Sequence, residues 1–318
     1  MIRYFIRRLV TAVIVIVIVM AFLAILDRLI PGNPVTYIFG PRANATLIRQ
    51  VRHEMGLDVP VPVQIYQYIF NAAHGNLGVD FVTDHSVASL VMENLPYTVV
   101  LAFSGLALAV VFGLPLGILA ATRPGGIVDR VIGIISVSVI TMPSFVLGLL
   151  LILVFAVHLH VLPVIGAGAP GDPLDDVKHL ILPACALAVG WIGYLARLVR
   201  SNMLEILTAN YIRTARAFGV RKRRVLYKYA LKNATAPVVA VLGVGLGSLL
   251  GGAIFIEVIF DRPGLGSLAY NAIASRNFPI VQGTALVISV MVIGANLLAD
   301  FSYRLLDSRI QLGQTAAS

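Results

Sequence analysis

The stretch Ala209 to Asn233, ANYIRTARAFGVRKRRVLYKYALKN, is the one strongly polar passage in an otherwise apolar chain. It carries Arg213, Arg216, Arg221, Lys222, Arg223, Arg224, Lys228 and Lys232 and no acid. Apolar runs of membrane-spanning length lie on both sides. RTARAFG predicts a short helix stopped at Gly219, because glycine takes the left-handed C′ position without steric cost. After Val220, RKRRVLYKYALKN predicts a second, basic amphipathic helix. A helix–glycine–helix unit this polar cannot cross a bilayer. It sits at the membrane surface or docks on another protein. The small side chains of Ala215 and Ala217 favour docking, because they let another backbone approach. The plain alternative is a solvated basic loop between two spans.

Composition places that stretch in a membrane protein. Hydrophobic residues make up 58% and charged residues only 12%, against about 25% charged in a soluble domain. Mean hydropathy is +0.91. A net charge of +9 would suggest nucleic acid in a soluble protein. In a polytopic chain it reads as Lys and Arg held on the cytoplasmic side, with no nucleic-acid partner. The single Cys185 excludes a disulfide framework and reads as a small buried hydrophobe. The N-terminal apolar run is too long for a signal peptide and lacks a small-residue cleavage site, so it reads as a retained span.

The expected fold is all-α, with six transmembrane helices and a small external lobe. Residues 1–30 hold a cytoplasmic N-terminus and the first span, Leu9 to Leu26. Residues 31–96 form the lobe, in which Ile65, Tyr66, Ile69 and Phe70 make an apolar stripe to pack on the membrane domain. Residues 97–318 form a five-helix core with a cytoplasmic loop at 200–233. Leu95-Pro96 opens the second span, to about Ala121, with Gly113, Pro115 and Gly117 allowing a kink. The third span runs from about Val131 to Val157, kinked at Pro143. The fourth covers about Leu180 to Leu198, the fifth about Ala234 to Ile259 and the sixth about Val281 to Leu298. Gly243, Gly245, Gly247, Gly251 and Gly252 in the fifth span support close helix packing or a wall along which a solute slides.

Catalytic motifs are missing. There is no G-x-x-x-x-G-K-[ST] loop to cradle phosphates, so ATP should not bind to this chain. No H-E-x-x-H, cysteine pair or nucleophile elbow points to a metal or catalytic site. His158 and His160 are two apart and diverge on a helix. Glu257 is the only ionisable candidate near a span, and pairing with Arg262 or Arg276 is its simplest role. A self-contained secondary carrier or polytopic membrane enzyme would need buried titratable pairs, which the sequence lacks.

The basic stretch resembles the EAA loop of bacterial ABC importer permeases of the dipeptide/oligopeptide/nickel branch. That loop reads Glu-Ala-Ala, three residues, Gly, nine residues, Ile-x-Leu-Pro. Here Arg213-Thr214-Ala215 take the first places, Gly219 the glycine and Leu231 the Leu. Tyr229 and Lys232 replace the Ile and the Pro. The branch commonly has Arg-Thr-Ala-Arg-Ala-Lys-Gly, from which RTARAFG departs at Phe218. The lobe carries counterparts of LPGDP (Pro31, Gly32, Asn33, Pro34), GLD-x-P (Gly56, Leu57, Asp58) and G-D-L-G (Gly75, Asn76, Gly78), with Asn33 and Asn76 where the branch usually has Asp. Near the sixth span, E-x-x-F-x-x-P-G-x-G and R-D-x-P are matched by Glu257, Phe260, Pro263, Gly264, Gly266, Arg276 and Pro279. Asn277 stands in place of the Asp.

The resemblance implies the type I ABC importer permease fold in a bacterial cytoplasmic membrane. It implies a second homologous permease, two cytoplasmic ATPase subunits holding ATP and Mg, and an external solute-binding protein. Tyr211, Arg213, Thr214, Ala215, Arg216, Ala217, Phe218 and Gly219 would couple to the ATPase. Pro143, Ser144, Gly247, Gly251, Gly252, Glu257, Pro263, Gly264 and Gly266 are the candidates for pathway or gate. Peptides are the commonest cargo in the branch; nickel chelates, glutathione and oligosaccharides are alternatives.

With these spans, 17 of the 24 Lys and Arg residues fall on the side of the basic stretch and seven on the other, although the latter has the longer loops. Both termini and the basic stretch should therefore be cytoplasmic. Cysteines placed at Arg221 to Arg224 should resist impermeant maleimide in intact cells. Labelling there from outside would reverse the topology.

Overall fold

The structure, a computed structural model, describes residues 2–29, 46, 49, 53 and 58–306. Of the lobe motifs, Pro31, Gly32, Asn33, Pro34, Gly56 and Leu57 lie outside the described residues. The helices in chain order are α1 (Ile2–Leu29), α2 (Val61–Ala73), α3 (Val87–Thr122), α4 (Ile127–Thr141) and α5 (Ser144–Leu151), which runs into a π-helical turn (Ile152–His158). Then come α6 (Pro173–Leu207), α7 (Asn210–Ala217), α8 (Lys222–Arg224), a second π-helical turn (Val225–Ala230), α9 (Leu231–Ala234), α10 (Ala236–Ile259), α11 (Leu265–Ala274) and α12 (Phe278–Leu306). Among the described residues the only β pairing is an isolated bridge, Val79 to Ser86.

The fold is that of an all-α polytopic membrane protein. Segments of α1, α3, α6, α10 and α12 are each long and apolar enough to span a bilayer. The Val- and Ile-rich run of α1 is a poor helix former in water. In lipid, only a helix satisfies every backbone polar group of a single spanning segment. The third span differs from the expected single kinked helix. It breaks between Thr141 and Ser144, and its halves meet at 106°. Pro143, in extended geometry (φ −59°, ψ 140°), caps the second half; it lacks the N–H that would continue the first. The second span also starts earlier than Leu95-Pro96, since α3 begins at Val87 and contains Pro96.

The chain divides into two compact units. One comprises Met1–Val99 and Asp261–Ile293. Its buried core is Leu77, Val87, Val91, Leu265, Ala272 and Ile280. Two polar contacts order it. Thr98 Oγ1 accepts the backbone N–H of Leu265 at 2.8 Å, capping the start of α11. Asp80 is buried and accepts hydrogen bonds from the Val82 N–H, the Thr83 hydroxyl and the Asn277 side-chain amide. The Tyr66–Phe70 stripe does not pack inward as expected. Tyr66 and Phe70 are 68% and 52% exposed, and they stack with each other at 6.1 Å, with the His74 ring 4.5 Å beyond.

The other unit comprises Val100–Phe260 and Gly294–Ser318. It is built around α6. Asp172 caps α6 by accepting from the N–H groups of Leu174 and Asp175, Pro173 opens it, and Asp175 and Asp176 occupy its first turn, where acids suit the positive end of the helix dipole. The glycines of α3 serve close packing rather than the expected kink. A Cβ on Gly113 would lie 2.9 Å from the Leu195 side chain, and one on Gly117 2.6 Å from the Ala196 carbonyl oxygen. On the other side of α6, a Cβ on Gly193 would lie 2.9 Å from the Ser136 carbonyl oxygen of α4. Lipid offers no hydrophobic drive for helix association, so backbones brought together by small residues carry it.

Burial pushes the Asp80 pKa up, but its hydrogen bonds from Thr83, Val82 and Asn277 outweigh that and hold it below the usual carboxylate range. A depressed carboxylate stabilises the fold above its unfolded pKa, and the gain is lost as pH falls through the folded one. Asn277→Asp replaces a donor with a second carboxylate and raises the pKa of the pair. It should lower stability by roughly 1–3 kcal/mol at neutral pH, a loss that shrinks as pH falls and the shared proton binds. The exchange Asp80→Asn with Asn277→Asp restores one charge and one amide. It should recover most of the thermal midpoint at neutral pH, measured on the purified protein in detergent.

Candidate functional site

Two surfaces in the α6-centred unit carry the features from which a function can be read, and α6 joins them. The first is the basic stretch. Its first helix, α7, is anchored by one residue. Ile212 is fully buried and packs with Leu195, Val199, Met203, Val225 and Ala230. Tyr211, Arg213, Thr214, Arg216, Ala217 and Phe218 are exposed, and Ala215 is half-buried. Phe218 is 84% exposed, an apolar side chain open to a partner.

Helix α7 ends as the sequence reading expects. Gly219 has φ +74°. Its N–H donates to the Arg216 carbonyl at 3.0 Å, and the Val220 N–H donates to the Ala215 carbonyl at 3.1 Å. This pair of bonds is the Schellman arrangement. A Cβ at Gly219 would meet nothing within 4 Å, so the constraint there is conformational, not steric. The second helix follows from Lys222 to Ala234, with a π-helical turn in its middle. It buries Val225, Ala230 and Ala234 and leaves Arg221, Lys222, Arg223, Arg224, Lys228 and Lys232 exposed. Asn233 Nδ2 donates to the Tyr211 hydroxyl at 3.0 Å, closing the two helices on each other. Asn202 Nδ2 donates to the Ala234 carbonyl at 3.2 Å, holding them to α6.

A clamp near this end of α6 was not foreseen from the sequence. Arg200 binds Asp129 through both of its forks, Nε to Oδ1 and Nη2 to Oδ2, the latter at 2.7 Å. The Gly125 N–H also donates to Asp129 at 2.8 Å. The turn between α3 and α4 is thereby fixed to α6.

The second surface is a half-open cavity of about 370 Å³, within the range of small-molecule sites, about 300–1,000 Å³. The broken third span supplies Ile140, Met142, Ser144 and Leu147; α6 supplies Leu187, Gly190, Trp191 and Tyr194; α10 supplies Ser248, Leu249 and Gly252. Trp191 and Tyr194 meet edge to face, their centroids 5.4 Å apart. The Trp191 ring fits because Gly245 lies behind it: a Cβ there would be 2.8 Å from the indole. No lining residue is an acid, a base or a histidine. The wall offers three hydroxyls, two aromatic rings, a thioether and the backbone at the helix break. Irregular backbone at membrane depth is tolerated where it lines a cavity or is buried in protein.

Of the sequence candidates, the cavity gathers Ser144 and Gly252, with Pro143 next in the chain. A Cβ on Gly251 would meet nothing within 4 Å. Gly247 lies in α10 away from the wall, and Glu257 is fully buried near the end of that helix. Pro263, Gly264 and Gly266 belong to the other unit, at the start of α11, where Gly266 is buried. Asp58, Gly75, Asn76 and Gly78 also fall in that unit, with positive φ at Gly75 and Gly78. Trp191 and Tyr194 escaped the sequence reading. Aromatic residues at i, i+3 on a span look the same whether they face lipid, a neighbour or a cavity.

The chain matches known proteins over nearly all of its length. Residues 113–312 match the family described as binding-protein-dependent transport system inner membrane component, and residues 1–102 match its N-terminal companion. The chain is 38% identical over 309 residues to a probable peptide ABC transporter permease protein, y4tP, of Sinorhizobium fredii, covering 97% of this chain and 99% of that one. It is 36% identical over 311 residues to the glutathione transport system permease protein GsiC of Pectobacterium atrosepticum, covering 98% and 99%. Among solved structures, the MetNI methionine ABC transporter in inward-facing conformations aligns with a TM-score of 0.56 at 23% identity, over 69% of this chain and 96% of that one.

The clamp is open to test. Asp129→Asn keeps the shape but removes the charge that Arg200 meets. Asp129 is buried and Arg200 is about one-third exposed, so water screens part of the loss, which should be about 1–2 kcal/mol. A lower thermal midpoint in detergent, absent in an Arg200→Gln/Asp129→Asn pair relative to Arg200→Gln alone, would measure the coupling.

Proposed function

We propose a role from one premise: the chain belongs to the family of binding-protein-dependent transport system inner membrane components. It is the membrane-spanning permease subunit of an ABC importer. In this reading it forms half of a translocation pathway for di- or oligopeptides. Peptides are handed over by an external solute-binding protein, and a second homologous permease supplies the other half. Two cytoplasmic ATPase subunits hold ATP and Mg. This chain binds neither and contributes no catalytic residue. The membrane is the bacterial cytoplasmic membrane, with both termini inside.

One observation carries the mechanism. α6 contributes Gly190, Trp191 and Tyr194 to the cavity wall, Arg200 to the clamp and, through Leu195, Val199 and Met203, the socket for Ile212 of α7. Force applied to α7 therefore reaches the wall through one continuous helix. Tyr211 to Gly219 acts as the coupling helix, with Phe218, Arg213 and Arg216 seated in the ATPase. ATP-driven closure of the ATPases tilts α6 and moves the wall between outward and inward access. A shift of this kind needs only that the ATPase grip α7 differently in its two states.

The peptide assignment is supported by the y4tP relative and by a wall of neutral hydrogen-bonding and aromatic groups. Glutathione, itself a tripeptide, is the nearest alternative, supported by the GsiC relative. A self-contained carrier or enzyme fits less well, because the cavity is lined without a carboxylate, lysine, arginine or histidine.

The test separates coupling from assembly. Ala215→Trp overpacks the docked face at a cost of about 1–3 kcal/mol. Gly219→Val opposes a positive φ that a β-branched residue resists. Both variants should insert normally and still meet the binding protein. They should lose the ATPase subunits on purification or hydrolyse ATP without uptake. Transport at wild-type rates in both would reduce the segment to a solvated loop.

A further inference from the structure

The second half of the basic stretch has no part in the mechanism above. It sets six cations, Arg221, Lys222, Arg223, Arg224, Lys228 and Lys232, in one short run with no acid among them. All six are exposed, and among the described residues none is ion-paired. Arg221, Arg223, Arg224, Tyr227 and Lys228 ring an open hollow of about 480 Å³. The helix cannot turn this face away, because Val225, Ala230 and Ala234 are locked into the core around α6. Like charges three and four residues apart on a helix repel one another, so the arrangement calls for an anion from outside the chain.

Three guanidinium groups, an ammonium and a phenol around one hollow are nearly all donors. Their common complement is a phosphate, whose oxygens Arg meets with two parallel bonds. Phosphate can come free in solution or on a lipid, and the fold favours the lipid. A single residue, Thr235, separates α9 from α10, so no linker carries the basic helix away from the bilayer. Nor does the helix project outward. Val225 and Ala230 share one buried cluster with Ala121 of α3 and Val199 of α6, both helices of membrane-spanning length. Tyr227 and Tyr229 are exposed among the cations, and tyrosine is enriched at the membrane–water interface. A basic cluster beside a spanning helix attracts acidic headgroups.

We infer that this hollow holds the phosphate of an acidic phospholipid headgroup, with Arg223, Arg224 and Lys228 as its main ligands. The bound lipid neutralises the cluster and ties the second helix to the bilayer, so α7 moves about Gly219 against a support fixed in the membrane. The lipid site needs only that α10 crosses a membrane; it does not depend on α7 seating in the ATPase.

The experiment uses the full complex, delipidated in detergent and incubated with equal amounts of phosphatidylglycerol and phosphatidylcholine. Native mass spectrometry counts the lipid that stays bound. The unmutated complex should retain phosphatidylglycerol preferentially. Arg223→Gln/Arg224→Gln/Lys228→Gln should bind it about tenfold more weakly or worse, with phosphatidylcholine unaffected. Arg123→Gln/Arg130→Gln/Arg197→Gln removes as many exposed cations from the same unit and should leave retention unchanged. Equal losses in the two triple variants would reduce the effect to net charge and overturn the proposal. An excess of inorganic phosphate, at ionic strength matched with chloride, should not displace the lipid; displacement would assign the hollow to a soluble anion. One readout needs no variant. Raising salt from about 0.1 M to about 1 M should strip phosphatidylglycerol from the unmutated complex and spare phosphatidylcholine, and no response to salt would refute a charge-held headgroup. Loss of the ATPase subunits from the first triple variant, with its lipid intact, would give the helix to the ATPase and overturn the inference. Wild-type transport in Ala215→Trp and Gly219→Val is a separate outcome: it removes the coupling reading and leaves the lipid site standing.

Discussion

The α6-centred unit depends on α6 remaining a single helix. Its 35 residues span about 52 Å, more than a bilayer core requires, so one rod can line the cavity at one level and hold the basic stretch at another. Pro183 lies inside it, yet the helix continues, because neighbouring helices surround that turn. Small residues let α3 and α4 press against it from two sides. A bulky side chain at Gly117 or Gly193 would separate the backbones and leave the rod unsupported.

Features governed by local chemistry were readable from the sequence. The helix–glycine–helix unit follows from one residue that tolerates positive φ and from a charge density no bilayer accepts. Span number follows from the lengths of apolar runs. Features that depend on a distant partner were not readable. Pro143 tells that a helix cannot continue, but the 106° bend is set by what the two halves pack against. Gly113 and Gly117 look like hinge residues until Leu195 and Ala196 are seen opposite them. The Asp129–Arg200 clamp joins residues 71 apart, and the Asp80–Asn277 contact joins residues 197 apart. Nothing in either local pattern names the other half.

The same distinction applies to the candidate site. Tyr211 to Gly219 was legible as a unit because its polarity is continuous. The cavity wall was legible only at Ser144 and Gly252, where a helix break and a glycine run stand out. Trp191 and Tyr194 gain significance from Gly245 and the bent third span, which belong to other helices. The aromatic stripe of the lobe helix shows the opposite error. Its spacing suggested a packed face, whereas Tyr66 and Phe70 turn outward.

The uncharged cavity wall also has an electrical consequence. Moving one elementary charge across the membrane potential involves about 2.3 kcal/mol for each 100 mV. The residues that line the cavity carry no such charge, so their movement between two states does no work against the field. For a solute of zero net charge, the voltage across the membrane neither drives nor brakes a swing of this wall. Uptake of a zwitterionic peptide into proteoliposomes should then proceed at the same rate whether a potassium diffusion potential is imposed or collapsed.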